Sequence, residues 1–215
     1  MPPDLSITFS PIVSLEYDEW VSTTRLLVLG VLRFMQPCHG YELRRELMSW
    51  QIEDWTNVKP GSIYSALKTL EKDGLIASVG ADRMPGRPER ISYRMTAEGE
   101  REFQLLLRES WWRVANPIEP LAPALGFMVT LTRDEVIAAV ESRVVQLQVM
   151  VRELVLQRTA IPDGATGEDD GPPEHVREIL SFLEMRHSAE IEWARGYLKR
   201  IRSGAYVFAG ESQPS

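Results

Sequence analysis

Three side chains that could contact nucleic acid follow one another along a predicted helix. Ser62, Tyr64 and Lys68 offer two hydroxyls and a cation on the helix face that carries no aliphatic residue. Groups of this kind bind phosphate oxygens and the edges of bases. Arg83 and Arg87 add two cations in a turn-rich loop between two predicted strands. The pattern indicates a DNA-binding surface, and its alternative is a solvated helix and loop without a ligand.

The sequence contains no motif typical of an enzyme. A glycine-rich phosphate loop, a nucleophile elbow and a helical His-Glu-x-x-His motif are all missing from it. Cys38 and His39 are adjacent and cannot by themselves complete a tetrahedral metal site. Cys38 fits a small buried apolar residue better than a redox sensor. We therefore expect no enzymatic activity, no metal and no cofactor.

The net charge of -7 argues at first against nucleic acid as a partner. The charge is unevenly distributed, however, because residues 23–99 carry 11 basic and 9 acidic side chains, whereas residues 100–215 carry 13 and 18. No apolar run approaches the roughly 18 residues of a membrane span. The amino terminus lacks a secretory signal, and the single cysteine fits a reducing compartment. We expect a cytoplasmic protein that does not bind membranes.

The first half of the chain predicts three helices. The first is capped by Thr23 or Thr24 and ends near Pro37. The second starts at Tyr41, and the third runs from Pro60 to Gly74. The apolar residues expected to lie inward are Leu26, Leu27, Leu29, Leu32 and Phe34 in the first helix, and Ile63, Ala66, Leu67 and Leu70 in the third. Residues 1–22 are expected to form a flexible arm.

Two strands are predicted after the third helix. Leu75, Ala77 and Val79 alternate along the first strand, and Ile91, Tyr93 and Met95 along the second. The order of helix, helix, helix, strand, loop and strand is that of a winged helix, whose third helix enters the major groove. We expect a mainly α fold with a small β-hairpin wing and a helical carboxy-terminal arm.

Three segments resemble the PadR-like transcriptional regulators in combination. They are LLVLGVLRFMQPCHGYELRREL (26–47), VKPGSIYSALKTLEKDGLI (58–76) and GRPERISYRMTAEGE (86–100). The resemblance covers about residues 24 to 100, and each segment alone is a weak signal. It implies a winged-helix dimer that reads a palindromic operator, usually as a repressor of nearby genes.

The resemblance also implies which residues contact DNA. The family's contact positions fall on Tyr41, Ser62, Tyr64, Lys68 and Arg87. We add Lys59, which precedes the third helix, and Arg83 of the wing loop. The rings of both tyrosines have an alternative role in core packing.

The second half of the chain predicts a helical dimerisation arm. A helix of about 27 residues follows Thr132, a loop spans residues 162–173, and a last helix follows. Apolar residues at three- and four-residue spacing form a stripe along each helix. From these stripes we predict a homodimer interface of Val140, Val144, Leu147, Val151, Leu154, Leu183, Ile191 and Leu198. The resulting division is an arm (1–22), a winged helix (23–99), a connecting helix with a proline-rich segment (100–130), a dimerisation domain (131–204) and a tail (205–215).

Four aromatic residues near the junction of the two halves are a candidate effector pocket: Trp111, Trp112, Trp193 and Tyr197. A well-filled interface is the alternative, and we favour it because aromatic residues are enriched in interfaces. For the whole protein, the prediction is a sequence-specific transcriptional regulator, a homodimeric repressor that a small-molecule effector relieves. The alternative is a winged helix that binds another protein and has no specific DNA site.

Overall fold

A computed structural model describes residues 19–82, 90–114, 120–167 and 171–211 of the chain. The chain divides into two units, Met1–Pro117 and Ile118–Ser215. In the first unit, helix α1 spans Glu19–Met35. Its first four residues therefore belong to the segment predicted as the arm. No proline or glycine lies between Glu19 and Thr24 to stop the helix. The rest of the predicted arm, residues 1–18, lies outside the described residues.

Three further helices surround a single apolar core in this unit. They are α2 (Gly40–Ser49), α3 (Ile52–Trp55) and α4 (Pro60–Lys72). Pro60 occupies the first turn of α4 and Gly74 follows its end with φ +74°, as predicted. The fully buried core side chains include Val28, Leu29, Leu32, Leu43, Leu47, Ile63 and Leu70. Phe34, predicted to lie inward, is instead 78% exposed, because it lies two positions beyond Leu32 and hence on another side of α1.

The sheet has three strands, one more than predicted. Strands β1 (Cys38–His39), β2 (Ile76–Asp82) and β3 (Arg90–Met95) form an antiparallel sheet in the order β1-β3-β2. Cys38 pairs with Tyr93 and His39 with Ser92. Ile76 is the buried residue of β2, whereas Ala77 and Val79 are exposed. The order of the elements confirms the winged helix, and residues 83–89, between β2 and β3, lie outside the described residues.

Helix α5 (Ala97–Trp112) is fixed to the sheet at its first turn. The Thr96 hydroxyl donates to the carbonyl oxygen of Gly74 at 2.8 Å and accepts the Gly99 N–H at 3.0 Å. This cap satisfies one of the amide groups that a helix leaves unpaired at its amino terminus. A Cβ added at Gly99 would lie 2.0 Å from the carbonyl oxygen of Leu75. Only glycine therefore allows this approach of α5 to the chain that enters β2.

The second unit consists mainly of two long helices, α7 (Arg133–Ala160) and α8 (Val176–Arg202). A short helix, α6 (Leu121–Gly126), and a 3-10 turn (Met128–Thr130) precede them. Thr132 and Glu135 cap α7 reciprocally, because each side chain accepts the other residue's backbone N–H. The predicted start of this helix is thereby confirmed.

Helices α7 and α8 pack against each other along their apolar stripes. Ion pairs of Arg202 with Glu141 and of Arg158 with Glu184 join opposite ends of the two helices, so the helices are antiparallel. Within the chain, Leu147, Ile191 and Leu198 are only 6 to 7% exposed. The hairpin is thus held together by the stripes that the sequence analysis assigned to a dimer interface.

The chain after α8 folds back onto the base of the hairpin. Phe208 is 3% exposed and packs with Val136, Tyr197 and Ile201. The Arg133 guanidinium pairs with the Glu211 carboxylate at 2.6 Å and lies 5.0 Å from the centroid of the Phe208 ring. Residues 205–211, predicted as a tail, are therefore part of this second core.

Candidate nucleic-acid interface

The exposed face of α4 has the composition that the sequence predicts. Ile63, Leu67 and Leu70 are buried, and their spacing turns the opposite side of the helix to solvent. Tyr64 is 42% exposed, and Lys68 and Lys72 are exposed. No ion pair among the described residues involves Lys68. Its ammonium group is therefore available to an external anion.

The serine and threonine hydroxyls of α4 donate hydrogen bonds to backbone carbonyl oxygens of the same segment. The Ser62 hydroxyl donates to the Lys59 carbonyl oxygen at 2.7 Å, and the Thr69 hydroxyl donates to the Ser65 carbonyl oxygen at 3.0 Å. A phosphate oxygen can only accept, so Ser62 must release this bond before its hydroxyl can donate to a phosphate. Ser62 is half-buried, which makes it less accessible than Tyr64 and Lys68.

The start of α2 lies against α4 and brings a second tyrosine to the same surface. A Cβ added at Gly40 would lie 3.1 Å from Cδ1 of Leu67 and 3.5 Å from Cε1 of Tyr64. The next residue, Tyr41, is 44% exposed, and its ring stacks on His39 with the centroids 5.6 Å apart. The absence of a side chain at Gly40 therefore allows two exposed tyrosines from different helices to share one surface.

Glu42 orients the first turn of α2. One carboxylate oxygen accepts the His39 N–H at 2.8 Å, and the other accepts the Tyr41 hydroxyl at 3.2 Å. The His39 hydrogen bond is the main reason that the pKa of Glu42 lies below its usual value. Because the ionised carboxylate holds both groups, Glu42 fixes the position from which Tyr41 can reach a ligand.

The contact that joins this surface to the sheet was not predicted from the sequence. The hydroxyl of Ser92 on β3 lies 3.1 Å from Nδ1 of His39 on β1. The Gln36 carboxamide oxygen also accepts the Met95 N–H at 2.8 Å. A two-residue strand has too short a pattern to be recognised, so only the CHGY segment within the family resemblance could have indicated it.

Three further residues were predicted to contact DNA, and the structure describes one of them. Lys59 is exposed, and its ammonium group lies 3.9 Å from Glu53, a weak surface ion pair. Arg83 and Arg87 lie outside the described residues. The structure thus places Tyr41 in the first turn of α2, which approaches Tyr64 at Gly40, and Ser62, Tyr64 and Lys68 along α4.

The four candidate effector residues are divided between the two units. Trp111 and Trp112, near the end of α5, are each 81% exposed. In the other unit, Trp193 stacks on Tyr197 with the centroids 5.2 Å apart, and Tyr197 is 4% exposed. Burial is the main cause that raises the pKa of Tyr197. Tyr197 therefore serves as a packing residue of the second core.

The eight predicted dimer residues all lie in the α7–α8 hairpin. Each is buried or half-buried in the single chain. Residues already covered by the other helix of the hairpin can add little area to an interface with a second copy. The exposed apolar residues of the hairpin are a different set: Val145, Val149, Met150, Leu156, Ile179, Phe182, Met185 and Trp193.

Two further kinds of site were sought in the part of the chain that the structure describes. No three His, Cys, Asp or Glu side chains there are placed to hold a metal ion. None of the described helices has both the length and the apolar character that a bilayer-spanning segment needs.

Comparison with known proteins identifies the first unit. Residues 28–105 match the model of the Transcriptional regulator PadR-like family. No curated protein was found to match the chain by sequence.

Several solved structures share the fold. PadR from Bacillus subtilis in complex with operator DNA superposes with a TM-score of 0.60 at 19% identity, covering 83% of this chain and 99% of that one. The PadR-like transcriptional regulator BC1756 from Bacillus cereus gives 0.56 at 20% identity, with 84% and 98% covered. B. subtilis PadR in complex with p-coumaric acid gives 0.56 at 18% identity, with 83% and 97% covered. Residues 28–105 of this chain therefore match the PadR-like family of transcriptional regulators, and the solved structures show that the chain shares their fold.

Proposed function

We propose that this protein is a sequence-specific DNA-binding repressor that acts as a homodimer. The observation that carries the proposal is the surface formed by α2 and α4, where Tyr41, Tyr64 and Lys68 are exposed and the Glu42 carboxylate accepts hydrogen bonds from the His39 N–H and the Tyr41 hydroxyl. Tyrosine hydroxyls and a lysine are groups that bind phosphates and base edges. Arg83 and Arg87 of the wing loop are proposed to reach the adjacent DNA backbone or minor groove.

The solved relatives support this role. B. subtilis PadR has been determined in complex with operator DNA, and it shares the fold of this chain. We infer that α4 is the helix that enters the major groove. Repression then follows from occupancy of an operator, which excludes other proteins from the same DNA.

A homodimer is proposed because two recognition helices must read successive major grooves about 34 Å apart. The exposed apolar residues of the hairpin support this proposal, since large apolar side chains exposed on a monomer are typical of an interaction site. Phe182 and Trp193, which share one face of α8, are the exposed residues that we assign to the interface. They add to the interface predicted from the stripes, whose residues also pack within the chain.

A small-molecule effector is proposed on the analogy of B. subtilis PadR, which has been determined with p-coumaric acid. An effector that prefers the DNA-free state would shift the population of the protein away from the operator. We place the protein in the cytoplasm, where its DNA would be.

The test is a selection of bound duplexes from a random pool, followed by titration of the recovered sequence at several salt concentrations. A sequence-specific dimer enriches an inverted repeat, and its affinity falls steeply as salt rises. A scrambled duplex of the same composition serves as the control.

Failure to enrich any sequence, with a folded dimer in the assay, would overturn the proposal. That outcome would favour the alternative of a winged helix that contacts another protein. In that case Lys68→Ala would change no DNA affinity.

A further inference from the structure

The α7–α8 hairpin has a cationic groove on one of its sides. The groove has a volume of about 860 Å³, within the range of roughly 300–1,000 Å³ that small-molecule sites occupy. Arg152 of α7 and Arg195 and Lys199 of α8 line it, together with a single carboxylate, that of Glu192. The charged lining is therefore +2 at neutral pH. The unit as a whole has the opposite sign, since residues 118–215 contain 10 basic and 15 acidic side chains.

The cations of the groove differ from most others in the hairpin. Arg143, Arg158 and Arg202 each pair with a glutamate of the facing helix. Among the described residues, no ion pair involves Arg152, Arg195 or Lys199. The Arg152 Nε donates only a long bond of 3.4 Å to the Gln148 carbonyl oxygen. Three unneutralised cations thus converge on one concave surface.

The groove also has an apolar floor and room for a ligand. Ile191 is 7% exposed and Val151 is half-buried beneath the charged side chains. Gly196 lies in the lining without a side chain that would fill the space. Apolar floors with a few converging polar groups are typical of small-molecule sites.

The apolar residues proposed for the dimer lie on a different side of α8. Ser188, Glu192, Arg195 and Lys199 follow one another at spacings of four, three and four and share a face. Phe182 and Trp193, eleven residues apart, share another face, rotated by about 100–120° at 3.6 residues per turn. A partner copy on the Phe182 face would leave the groove accessible to solvent.

We propose that this groove binds a small organic dianion with an apolar body, either a dicarboxylate or a phosphate monoester. Arginine binds both groups through two parallel hydrogen bonds, and Lys199 adds a point charge. Glu192 opposes a dianion by charge repulsion. The inference concerns binding alone and does not depend on the affinity of the protein for DNA.

Calorimetric titration of the full chain tests the proposal without any DNA. The probes are phthalate, phenyl phosphate and, as a neutral control of similar size, benzamide. Saturable binding of either dianion, weakening with added salt, is expected, and which one binds identifies the anionic group. The amide signal of Gly196 in a two-dimensional NMR spectrum should shift in the same titration, which locates the ligand.

Variants separate the groove from the rest of the surface. Arg195→Gln should weaken binding by about tenfold or more, because it removes a charged hydrogen bond. Arg186→Gln, which removes an arginine of the same helix outside the groove, should leave the affinity unchanged. Glu192→Gln should strengthen the binding of both dianions, an effect that misfolding could not produce.

Three results would overturn the proposal. They are the absence of saturable binding of both dianions by the folded protein, equal affinity of Arg195→Gln and the wild type, and binding of benzamide as tight as that of phthalate. A failed anion titration would leave the selection of bound duplexes unaffected, so the two proposals fail separately.

Discussion

Gly99 at the start of α5 lies directly over the carbonyl group of Leu75, so that a methyl group at position 99 would be 2.0 Å from the carbonyl oxygen. We predict that Gly99→Ala destabilises the first unit by about 3 kcal/mol, because the backbone of two elements must move apart. Chemical denaturation monitored by circular dichroism measures the change. Gly61→Ala, at a position with no atom within 4 Å, is the matched control and should not destabilise the protein. Equal midpoints for Gly99→Ala and the wild type would contradict the prediction.

Lys68→Ala should weaken binding to the selected operator by about tenfold while the dimer stays intact. The lysine is exposed on α4 and has no ion pair among the described residues. Loss of a phosphate contact should also reduce the slope of affinity against salt. Electrophoretic mobility shifts at several salt concentrations measure both effects. Arg186→Ala removes an exposed cation from the other unit and should change neither. An unaltered affinity would remove Lys68 from the interface.

Phe182→Glu should convert the dimer to a monomer. The side chain is 57% exposed on α8, and a carboxylate buried in an apolar interface would raise the dimer dissociation constant by about a hundredfold. Light scattering after size exclusion would then give about 24.5 kDa in place of twice that mass. Ser181→Glu adds the same charge at the neighbouring exposed position and should remain a dimer. A dimeric Phe182→Glu variant would show that another surface joins the copies.

The first unit should lose stability in acid through Glu42. The hydrogen bond from the His39 N–H holds the pKa of Glu42 below its usual 4.5 in the folded protein. A lowered pKa stabilises the fold at pH values above 4.5, and this contribution disappears as the pH falls through the lowered pKa.

The measurement that checks this is unfolding by urea between pH 3 and pH 7. Glu42→Gln should be less stable than the wild type at pH 7, with a difference that shrinks towards pH 3. Glu153→Gln, at an exposed position of α7, supplies the reference for a surface glutamate. A difference that stays constant with pH would exclude this role of Glu42.

Cys38 should be inert to alkylation in the folded protein. It is 4% exposed, and burial, with a smaller contribution from Glu42, raises its pKa to about 11. Only the thiolate reacts, so the rate at pH 8 should be about two orders of magnitude below that of an unperturbed cysteine. Mass spectrometry after iodoacetamide treatment, with and without urea, measures the difference. Rapid labelling of the native protein would show that Cys38 is accessible.

The helices could be predicted from the regular spacing of apolar residues in the sequence. A strand that exists only because it pairs with a distant segment could not. The inward and outward faces of α4 follow from the spacing of Ile63, Leu67 and Leu70, because a helix repeats its faces every few residues. Strand β1 has only Cys38 and His39, and it exists because β3 lies beside it. No local pattern describes a pairing between residues more than fifty positions apart.

Only part of the candidate site could be predicted from the sequence, because the rest depends on contacts between distant segments. The exposed positions of Tyr64 and Lys68 follow from the helical period, and their contact with α2 depends on the close approach at Gly40. The stripe on α7 predicts that a helix covers it, and spacing alone cannot distinguish α8 of the same chain from a second copy. Since α8 follows in the same chain, it covers Leu147, and the surface left for a partner is the exposed one.

The packing of residues 205–211 beneath α7 and α8 also matters to anyone who shortens or extends this chain. A helical domain is often cut where its last helix ends, which here is Arg202. That cut would remove Phe208 and Glu211 and leave the Arg133 guanidinium without the carboxylate that pairs with it. Purification tags and reporter proteins therefore belong after residue 211, and a fragment designed to report on the hairpin must keep this short segment to be a faithful copy of it.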